Sequence, residues 1–152
     1  LTEPQALLSK SARVPGIDGR KMSKSYNNAI YLSDEEEVVN KKVQQMFTDP
    51  KKIRINDAGH TDKCVVFAFH KIFCENHNEI EAECCSGKKG CVKCKAELSK
   101  SINQALGPIR ERRREILKEK GLVDEVLRQG KKQASEIAAR TMHEIREAMN
   151  LL

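Results

Sequence analysis

A basic, hydroxyl-rich segment, Lys21-Met22-Ser23-Lys24-Ser25, directly follows the glycine-containing segment Gly16-Ile17-Asp18-Gly19-Arg20. The glycines allow the backbone to approach a ligand closely. The lysines supply positive point charges, while the serine hydroxyls and the loop amides supply hydrogen-bond donors. These groups suit the negative charge of a triphosphate or of a departing pyrophosphate. On composition alone, the segment is either such a phosphate-binding loop or a basic surface turn.

Six cysteines form the second set of residues that could do chemistry: Cys64, Cys74, Cys84, Cys85, Cys91 and Cys94. Cys91 and Cys94 have CxxC spacing just before a predicted helix, so both thiolates can turn toward one metal group. Cys84 can add a third ligand, with Cys85 as its substitute, and Cys64 a fourth, which leaves Cys74 as the spare. Four thiolates suit zinc or a 4Fe-4S cluster, and the alternative is six unrelated buried thiols.

The composition favours helices and a polyanionic partner. Aromatic residues make up 4% of the 152 residues and charged residues 33%, so the core must be aliphatic and the helices must have wide solvated faces. The net charge of +6 raises the expectation of a nucleic-acid partner. Because the longest apolar run is five residues, Val65 to Phe69, and no signal peptide is visible, we expect a soluble, intracellular protein without a membrane span.

Several elements must position these residues. Residues 15–28 read as a loop and residues 29–32 as a short strand or an extended lead-in. Ser33 is the expected N-cap of a helix, with Glu36 as its capping-box partner. The buried face expected for that helix consists of Val38, Val39, Val43 and Met46 or Phe47.

Further helices are predicted at Cys64 to Phe73, at Glu79 to Cys85 and from Lys95 onward, the last kinked or broken at Gly107-Pro108 and ended by Gly121. A short helix around Asp124 to Gln129 precedes a final helix with a regular apolar stripe, which predicts core packing. The stripe contains Ala134, Ile137, Ala138, Thr141, Met142, Ile145, Ala148 and Met149.

Two groups of polar residues have plainer interpretations. The run Arg110 to Arg114 is a solvated face and, if the partner is RNA, a candidate for phosphate contact. The histidines share no ligand spacing and are expected to be structural or surface residues: His60, His70, His77 and His143.

Five segments in order carry a resemblance: EPQALL, PGIDGRKMSKSYNN, MFTDPKKIR, GHTDKCVVFAFHK and GKKGCVKCK. They resemble bacterial tryptophanyl-tRNA synthetases over nearly the whole chain, and KMSKS resembles the second signature of class I aminoacyl-tRNA synthetases. The resemblance implies a mainly α fold. Residues 1–32 would be the C-terminal edge of a Rossmann catalytic domain with the KMSKS loop. Residues 33–152 would form a helical anticodon-binding domain whose last helix packs back on the catalytic domain.

The resemblance also assigns site residues. Lys21 and Lys24 would be catalytic, with Lys24 stabilising the leaving pyrophosphate. ATP would contact Val14, Lys21, Met22, Ser23, Lys24 and Ser25. Part of the family carries a 4Fe-4S cluster, whose ligands here would be Cys64, Cys84, Cys91 and Cys94. The first of these intervals is shorter than in the cluster-bearing pattern, so the choice between Cys84 and Cys85 stays open.

The implied activity joins tryptophan to its tRNA in two steps, with ATP and Mg²⁺ as cofactors. The implied partners are tRNA(Trp), including its anticodon, tryptophan and ATP, in a cytoplasmic enzyme that is a homodimer when full length. Because the chain begins at Leu1 and contains no HIGH-type signature, we expect a C-terminal fragment that does not activate tryptophan alone. The alternatives are a tyrosyl-type synthetase and a non-catalytic, metal-stabilised tRNA-binding module.

Overall fold

Helices dominate the described residues of this computed structural model, which are residues 2–9 and 11–151. Short 3-10 turns occupy Lys24–Tyr26 and Thr61–Lys63, and these residues contain no strand, only an isolated bridge between Pro15 and Lys21. The predicted mainly α fold is confirmed. The helices are α1 (Glu36–Gln45), α2 (Val65–Phe73), α3 (His77–Cys85), α4 (Cys91–Lys118) and α5 (Leu122–Ala148).

Residues Leu1–Arg110 and Glu111–Leu152 form two compact units. In the first unit, one face each of α1, α2, α3 and α4 encloses an aliphatic core, and Val14, Ile17, Met22 and Ile30 from the loop region pack against it. The predicted domain boundary at residue 32 stays a prediction. The core residues are Val39, Val43, Met46, Val65, Val66, Phe67, Phe69, Ile80, Cys94, Leu98, Ile102 and Leu106.

Helix α1 begins two residues later than predicted. Asp34 closes a turn instead, because its backbone amide donates to the Tyr31 carbonyl (3.0 Å) and its carboxylate accepts from the Tyr31 amide (2.9 Å). The N-cap is therefore Glu35 rather than Ser33, and residues 29–32 form no strand. The predicted buried face is correct for Val39, Val43 and Met46, whereas Val38 and Phe47 are exposed.

Helix α4 runs through Pro108 without a break, so the predicted break at Gly107-Pro108 is wrong, whereas the alternative of a kink stays a prediction. Proline removes one backbone hydrogen bond, but Pro108 and Gln104 are both exposed, so water can bond the carbonyl that loses its partner. The apolar pattern from Lys95 onward predicts that Leu98, Ile102, Ala105, Leu106, Ile109 and Ile116 are buried. This is correct for Leu98, Ile102 and Leu106 and wrong for Ala105 and Ile109, which face solvent, while Ile116 is partly buried.

Helix α5 is a single helix, whereas the sequence predicted a short helix followed by a longer one. Gly130 lies within it and costs about 1 kcal/mol relative to alanine, which is too little to end a helix of this length. The apolar stripe is not part of a core in the described chain, because α5 has no buried residue and Ile137, Met142 and Met149 are all exposed. No described helix combines the length and the apolar composition needed to cross a membrane.

Candidate functional site

Asn28 anchors the KMSKS loop. Its side chain is only 2% exposed. The Nδ2 group donates to Asp18 Oδ1 (2.8 Å) and to the Lys21 carbonyl (3.1 Å), while Oδ1 accepts from the Ser23 amide (2.8 Å). One carboxamide therefore holds residues on both sides of the lysine that opens the motif. The sequence analysis did not single out Asn28, since only the repeated asparagine after Tyr26 marked this position.

The base of the loop is joined to the helical core by backbone hydrogen bonds. The Ile17 amide donates to the Asn28 carbonyl (2.9 Å), and the Ile17 carbonyl accepts from the Phe47 amide (2.9 Å). The Phe47 carbonyl in turn accepts from the amide of Val65, the first residue of α2 (3.2 Å). Gly16 is required at this base because a Cβ there would overlap the Asn28 side chain.

The tip of the loop exposes two lysine ammonium groups. Lys21 and Lys24 are exposed, and neither forms an ion pair with any residue that the structure describes. Ser23 Oγ and Ser25 Oγ share a hydrogen bond of 2.8 Å beside them. The predicted ATP-contacting lysines and serines therefore lie together, with ammonium and hydroxyl groups available to an anion.

Arg20 differs from these lysines because its charge is already neutralised. Its Nε donates to Asp18 Oδ2 (2.7 Å), and its guanidinium lies 4.5 Å from the centroid of the Tyr26 ring. The hydrogen bond from Asn28, together with those from Arg20, lowers the pKa of the Asp18 carboxyl. Asp18 is therefore ionised at neutral pH, and the net positive charge of the loop resides on Lys21 and Lys24.

Val14 and Met22 form the apolar side of the loop. Both are partly buried and line a cavity of about 200 Å³ together with Leu32 and residues of α2 and α4. The structure thus brings the predicted ATP-contacting residues Val14 and Met22 together. It places them toward the hydrophobic core, whereas Lys21 and Lys24 face solvent.

Five of the six thiols take part in electrostatic effects on one another, and Cys74 does not. Burial, with smaller contributions from Cys64 and Cys84, raises the pKa of the Cys94 thiol to about 12. Burial also raises the pKa of Cys84, and Cys64, Cys85 and Cys91 act in the same direction. The predicted ligands Cys64, Cys84, Cys91 and Cys94 therefore share one neighbourhood. Cys84 is partly buried and Cys85 exposed, which favours Cys84 as the inward-facing thiol.

Lys89 connects the two helices that carry most of these thiols. Its Nζ pairs with Glu83 of α3 (2.7 Å) and with Glu97 of α4 (2.6 Å), and its side chain is buried. These two carboxylates lie next to Cys84 and close to Cys94 in the sequence. The ion pairs therefore fix how the end of α3 meets the start of α4.

The thiols do not converge on one point. Among the described residues, no group of three or more His, Cys, Asp or Glu side chains is arranged to hold a metal ion. Gly59 donates its amide to the Cys84 carbonyl (3.0 Å), and a Cβ at Gly59 would overlap Cys84 Sγ. The backbone at Gly59 thus closes one side of the thiol neighbourhood.

Asp49 and Lys52 shape the segment that leads to Gly59. The Asp49 carboxylate accepts hydrogen bonds from the Lys51 and His60 amides (2.9 and 2.8 Å) and contacts the His60 ring at 2.8 Å. Burial opposes ionisation, but these donors outweigh it and lower the pKa of Asp49 to about 2. The buried Lys52 ammonium donates to the carbonyls of residues 55 and 57. Asp49 lies in the segment MFTDPKKIR, to which the sequence analysis gave no individual residue roles.

His70 is a structural residue that links two cysteines. It is fully buried, with Nε2 lying 3.1 Å from the Cys94 carbonyl and 3.2 Å from Cys94 Sγ. Its Nδ1 lies 3.1 Å from Cys74 Sγ, and Cys74 donates to Ser101 Oγ (3.2 Å). Cys74 is therefore part of a buried polar chain. A sequence signal for His70 existed, because it follows Val66 by one helical turn on the apolar face of α2.

Arg110 is not available for phosphate contact, which corrects part of the sequence prediction. It is only 6% exposed, and it donates to the Asp34 carbonyl (2.7 Å) and to Asn103 Oδ1 (2.7 Å). Its guanidinium therefore bonds the turn that precedes α1 and a side chain of α4, and it does not face solvent. Arg112 and Arg113 are exposed as predicted.

The comparisons with known proteins address the identity of this loop and these helices. Residues 1–107 match the family described as tRNA synthetases class I (W and Y). The chain belongs to this family. The match to the class I synthetases covers the loop, α1, α2, α3 and the first part of α4, so the elements that carry Lys21, Lys24 and the thiols all lie inside it.

Individual class I synthetases resemble the chain over nearly its whole length. It is 51% identical over 152 residues to the tryptophan–tRNA ligase of Aquifex aeolicus, covering 98% of this chain and 38% of that protein. It is 41% identical over 153 residues to that of Thermotoga maritima, covering 99% and 47%. The Campylobacter jejuni tryptophanyl-tRNA synthetase complexed with ADP and tryptophan superposes with a TM-score of 0.76 at 29% identity, covering 97% and 47%. The chain thus spans less than half the length of these relatives.

Proposed function

We propose that this chain is the C-terminal part of a tryptophan–tRNA ligase and supplies the KMSKS half of its active site. The observation that carries the proposal is the pair of exposed ammonium groups of Lys21 and Lys24, which form no ion pair with the described residues, on a loop anchored by Asn28. The 51% identity to the Aquifex aeolicus tryptophan–tRNA ligase supports tryptophan rather than tyrosine as the substrate.

In the proposed first step, the tryptophan carboxylate attacks the α-phosphate of ATP, giving tryptophanyl-adenylate and pyrophosphate. ATP enters as its Mg²⁺ complex. Lys24, with Lys21, stabilises the negative charge that develops on the departing pyrophosphate, and the hydroxyls of Ser23 and Ser25 donate hydrogen bonds to it. Val14 lies against the bound ATP. In the second step the activated amino acid passes to the terminal ribose of tRNA(Trp).

The rest of the chain is proposed to serve tRNA recognition and assembly. Residues 33–152 form the helical domain that binds the anticodon, and the exposed apolar stripe of α5 packs on the catalytic domain, which buries Ile137 and Met142. The complete enzyme is proposed to be a cytoplasmic homodimer. The stripe supports this arrangement because a 27-residue amphipathic helix with no buried side chain has a face that association can cover.

A chimeric enzyme tests the proposed activity. The chain is joined to the N-terminal part of the Aquifex aeolicus relative, which supplies the residues that it does not match. We expect the chimera to catalyse ATP–pyrophosphate exchange that depends on tryptophan and not on tyrosine, and the chain alone to catalyse none. Tyrosine-dependent exchange would support the tyrosyl-type alternative, and a folded chimera without exchange would contradict the proposal.

We also propose that Cys64, Cys84, Cys91 and Cys94 hold a metal group. The all-sulfur donor set suits zinc or a 4Fe-4S cluster. A zinc ion requires every sulfur at about 2.3 Å from one point, whereas each thiolate of a cluster binds its own iron. The mutual electrostatic effects of these thiols support a shared site but do not choose between the two groups, and the cluster is proposed first because part of the family carries one on four cysteines. A bound cluster would cross-link the start of α2, the end of α3 and the start of α4.

Metal analysis of two cysteine variants tests this second proposal. We expect the anaerobically purified chain to contain about four irons and Cys91→Ser to lose them, while Cys85→Ser, which changes an exposed thiol, keeps them. In the chimera, Cys91→Ser should lower stability or tRNA charging and leave tryptophan activation largely intact. If the chain contains one zinc, the proposed group is zinc and not the cluster. If it contains no metal, the proposed metal site is wrong.

A further inference from the structure

Cys94 differs from the other three proposed metal ligands because it is buried. It is 9% exposed and belongs to the core of the first unit, whereas Cys64, Cys84 and Cys91 are partly exposed. A cysteine that binds a metal does so as a thiolate, and a thiolate removed from water needs a hydrogen-bond donor from the protein. Water can reach the partly exposed ligands, but Cys94 requires a donor that lies within the core.

The imidazole of His70 supplies that donor. His70 is fully buried in α2, and its Nε2 lies 3.1 Å from the Cys94 carbonyl oxygen and 3.2 Å from Cys94 Sγ. Because a carbonyl oxygen can only accept, Nε2 carries the ring proton, and its N–H is shared between the oxygen and the sulfur. In the part of the chain that the structure describes, Cys94 Sγ has no other hydrogen-bond partner.

The opposite side of the His70 ring is also held. Its Nδ1 lies 3.1 Å from Cys74 Sγ, and Cys74 bonds Ser101 Oγ (3.2 Å). Ser101 in turn donates to the Glu97 carbonyl (3.2 Å), one turn earlier in α4. Contacts at both ring nitrogens fix the orientation of the imidazole, so the Nε2–H group is directed at Cys94 before any metal binds.

Core packing alone does not account for a histidine at this position. The neighbouring buried residues of α2, which include Val66 and Phe69, are apolar, and burying an imidazole among them is costly unless its nitrogens are bonded. The Cys94 carbonyl does not depend on His70, because it lies inside α4, where the amide of Leu98 is the regular helical partner. An aliphatic side chain would fill the same space, but it would give the Cys94 sulfur no N–H donor.

We propose that His70 is a positioning residue for the metal group, through the hydrogen bond that its Nε2 donates to the Cys94 thiolate. The inference rests on the metal site proposed above and applies to zinc and to a cluster alike. An outer hydrogen-bond partner orients a ligand, and its loss typically weakens metal binding about 10- to 100-fold. In a 4Fe-4S cluster, hydrogen bonds to the sulfurs also raise the reduction potential, because they stabilise the more negative reduced state.

Two substitutions of His70 in the whole chain separate hydrogen bonding from packing. His70→Met fills the core without a donor, whereas His70→Gln places an amide N–H near the position of the ring Nε2. We expect His70→Met to hold its metal about tenfold more weakly in competition with a chelator and, where the metal is a cluster, to have a more negative reduction potential. His70→Gln should recover most of both effects. His77→Met changes a partly buried histidine whose ring contacts the Cys74 carbonyl and should alter neither quantity.

The outcomes separate this inference from the metal site itself. If the unmodified chain holds a metal and His70→Met holds it equally well, with the same potential, the role of His70 is wrong and the metal site stands. If His70→Met and His70→Gln lose the metal to the same extent, the ring serves packing only and the inference is again wrong. If the unmodified chain holds no metal, both the site and the role of His70 fail.

A measurement on the unmodified chain keeps the inference testable even if neither variant folds. With ¹⁵N in the histidines alone and zinc as the metal, NMR identifies which ring nitrogen carries the proton. We expect the buried histidine to carry it on Nε2 and to exchange it slowly with solvent, because His70 is fully buried. A proton on Nδ1 alone would leave no donor for Cys94 and would overturn the inference.

Discussion

Replacing Lys24 by alanine in the chimeric enzyme is expected to slow the formation of tryptophanyl-adenylate about 100- to 1000-fold. The ammonium group is exposed, forms no ion pair with the described residues and lies beside the hydroxyls of Ser23 and Ser25. Nothing in the folded loop therefore depends on its charge, and the variant should fold normally. The loss falls on the step in which charge develops on pyrophosphate.

The division of this loss between rate and binding is the informative quantity. We expect kcat of the ATP–pyrophosphate exchange to carry most of the loss and the KM for ATP to change little, because the interaction strengthens in the transition state. Lys41→Ala, which removes an exposed lysine of α1, is the control and should leave both quantities unchanged. Equal losses in affinity and rate would mean that Lys24 binds ATP uniformly, and an unchanged rate would remove it from the catalytic site.

The sequence predicts a phosphate-binding role for the loop, but it does not reveal the contacts that hold the loop in place. Two lysines and two serines within five residues predict a phosphate-binding role, and that role stays a prediction, although Lys21 and Lys24 are exposed and form no ion pair with the described residues. The support depends on Asn28, which bonds residues five, seven and ten positions earlier. Such side-chain contacts within an irregular loop have no periodicity, so a sequence pattern does not reveal them.

Errors in the helices have a similar origin. Apolar periodicity located α2 because this helix buries one face against the core. The start of α1 was misplaced because Asp34 bonds the Tyr31 amide, a local competition that makes Ser33 an unsuitable cap. Arg110 was read as part of a solvated run, but one position in that run faces inward and satisfies Asn103. The sequence therefore located the faces of helices better than their ends or their exceptional residues.

Asn28→Ala is expected to lower the free energy of unfolding of the chain by about 2–4 kcal/mol, since each of three hydrogen bonds contributes about 1 kcal/mol and the loss of a side chain that is only 2% exposed leaves a void. The lost bonds are those to Asp18, Lys21 and Ser23. No charge is removed. The KMSKS loop should nevertheless become less ordered, which reduces kcat of the chimera because Lys21 and Lys24 are no longer held in position.

Urea unfolding of the chain and exchange kinetics of the chimera measure these two effects separately. The matched control is Asn27→Gly, which changes the neighbouring exposed asparagine; its φ of 50° is a conformation that glycine adopts readily. We expect this control to change the free energy of unfolding by less than about 0.5 kcal/mol. If Asn28→Ala loses stability but keeps full kcat, the loop is positioned by its ligand rather than by Asn28. A loss of kcat that persists at temperatures where the variant is fully folded establishes that the buried carboxamide positions the catalytic lysines.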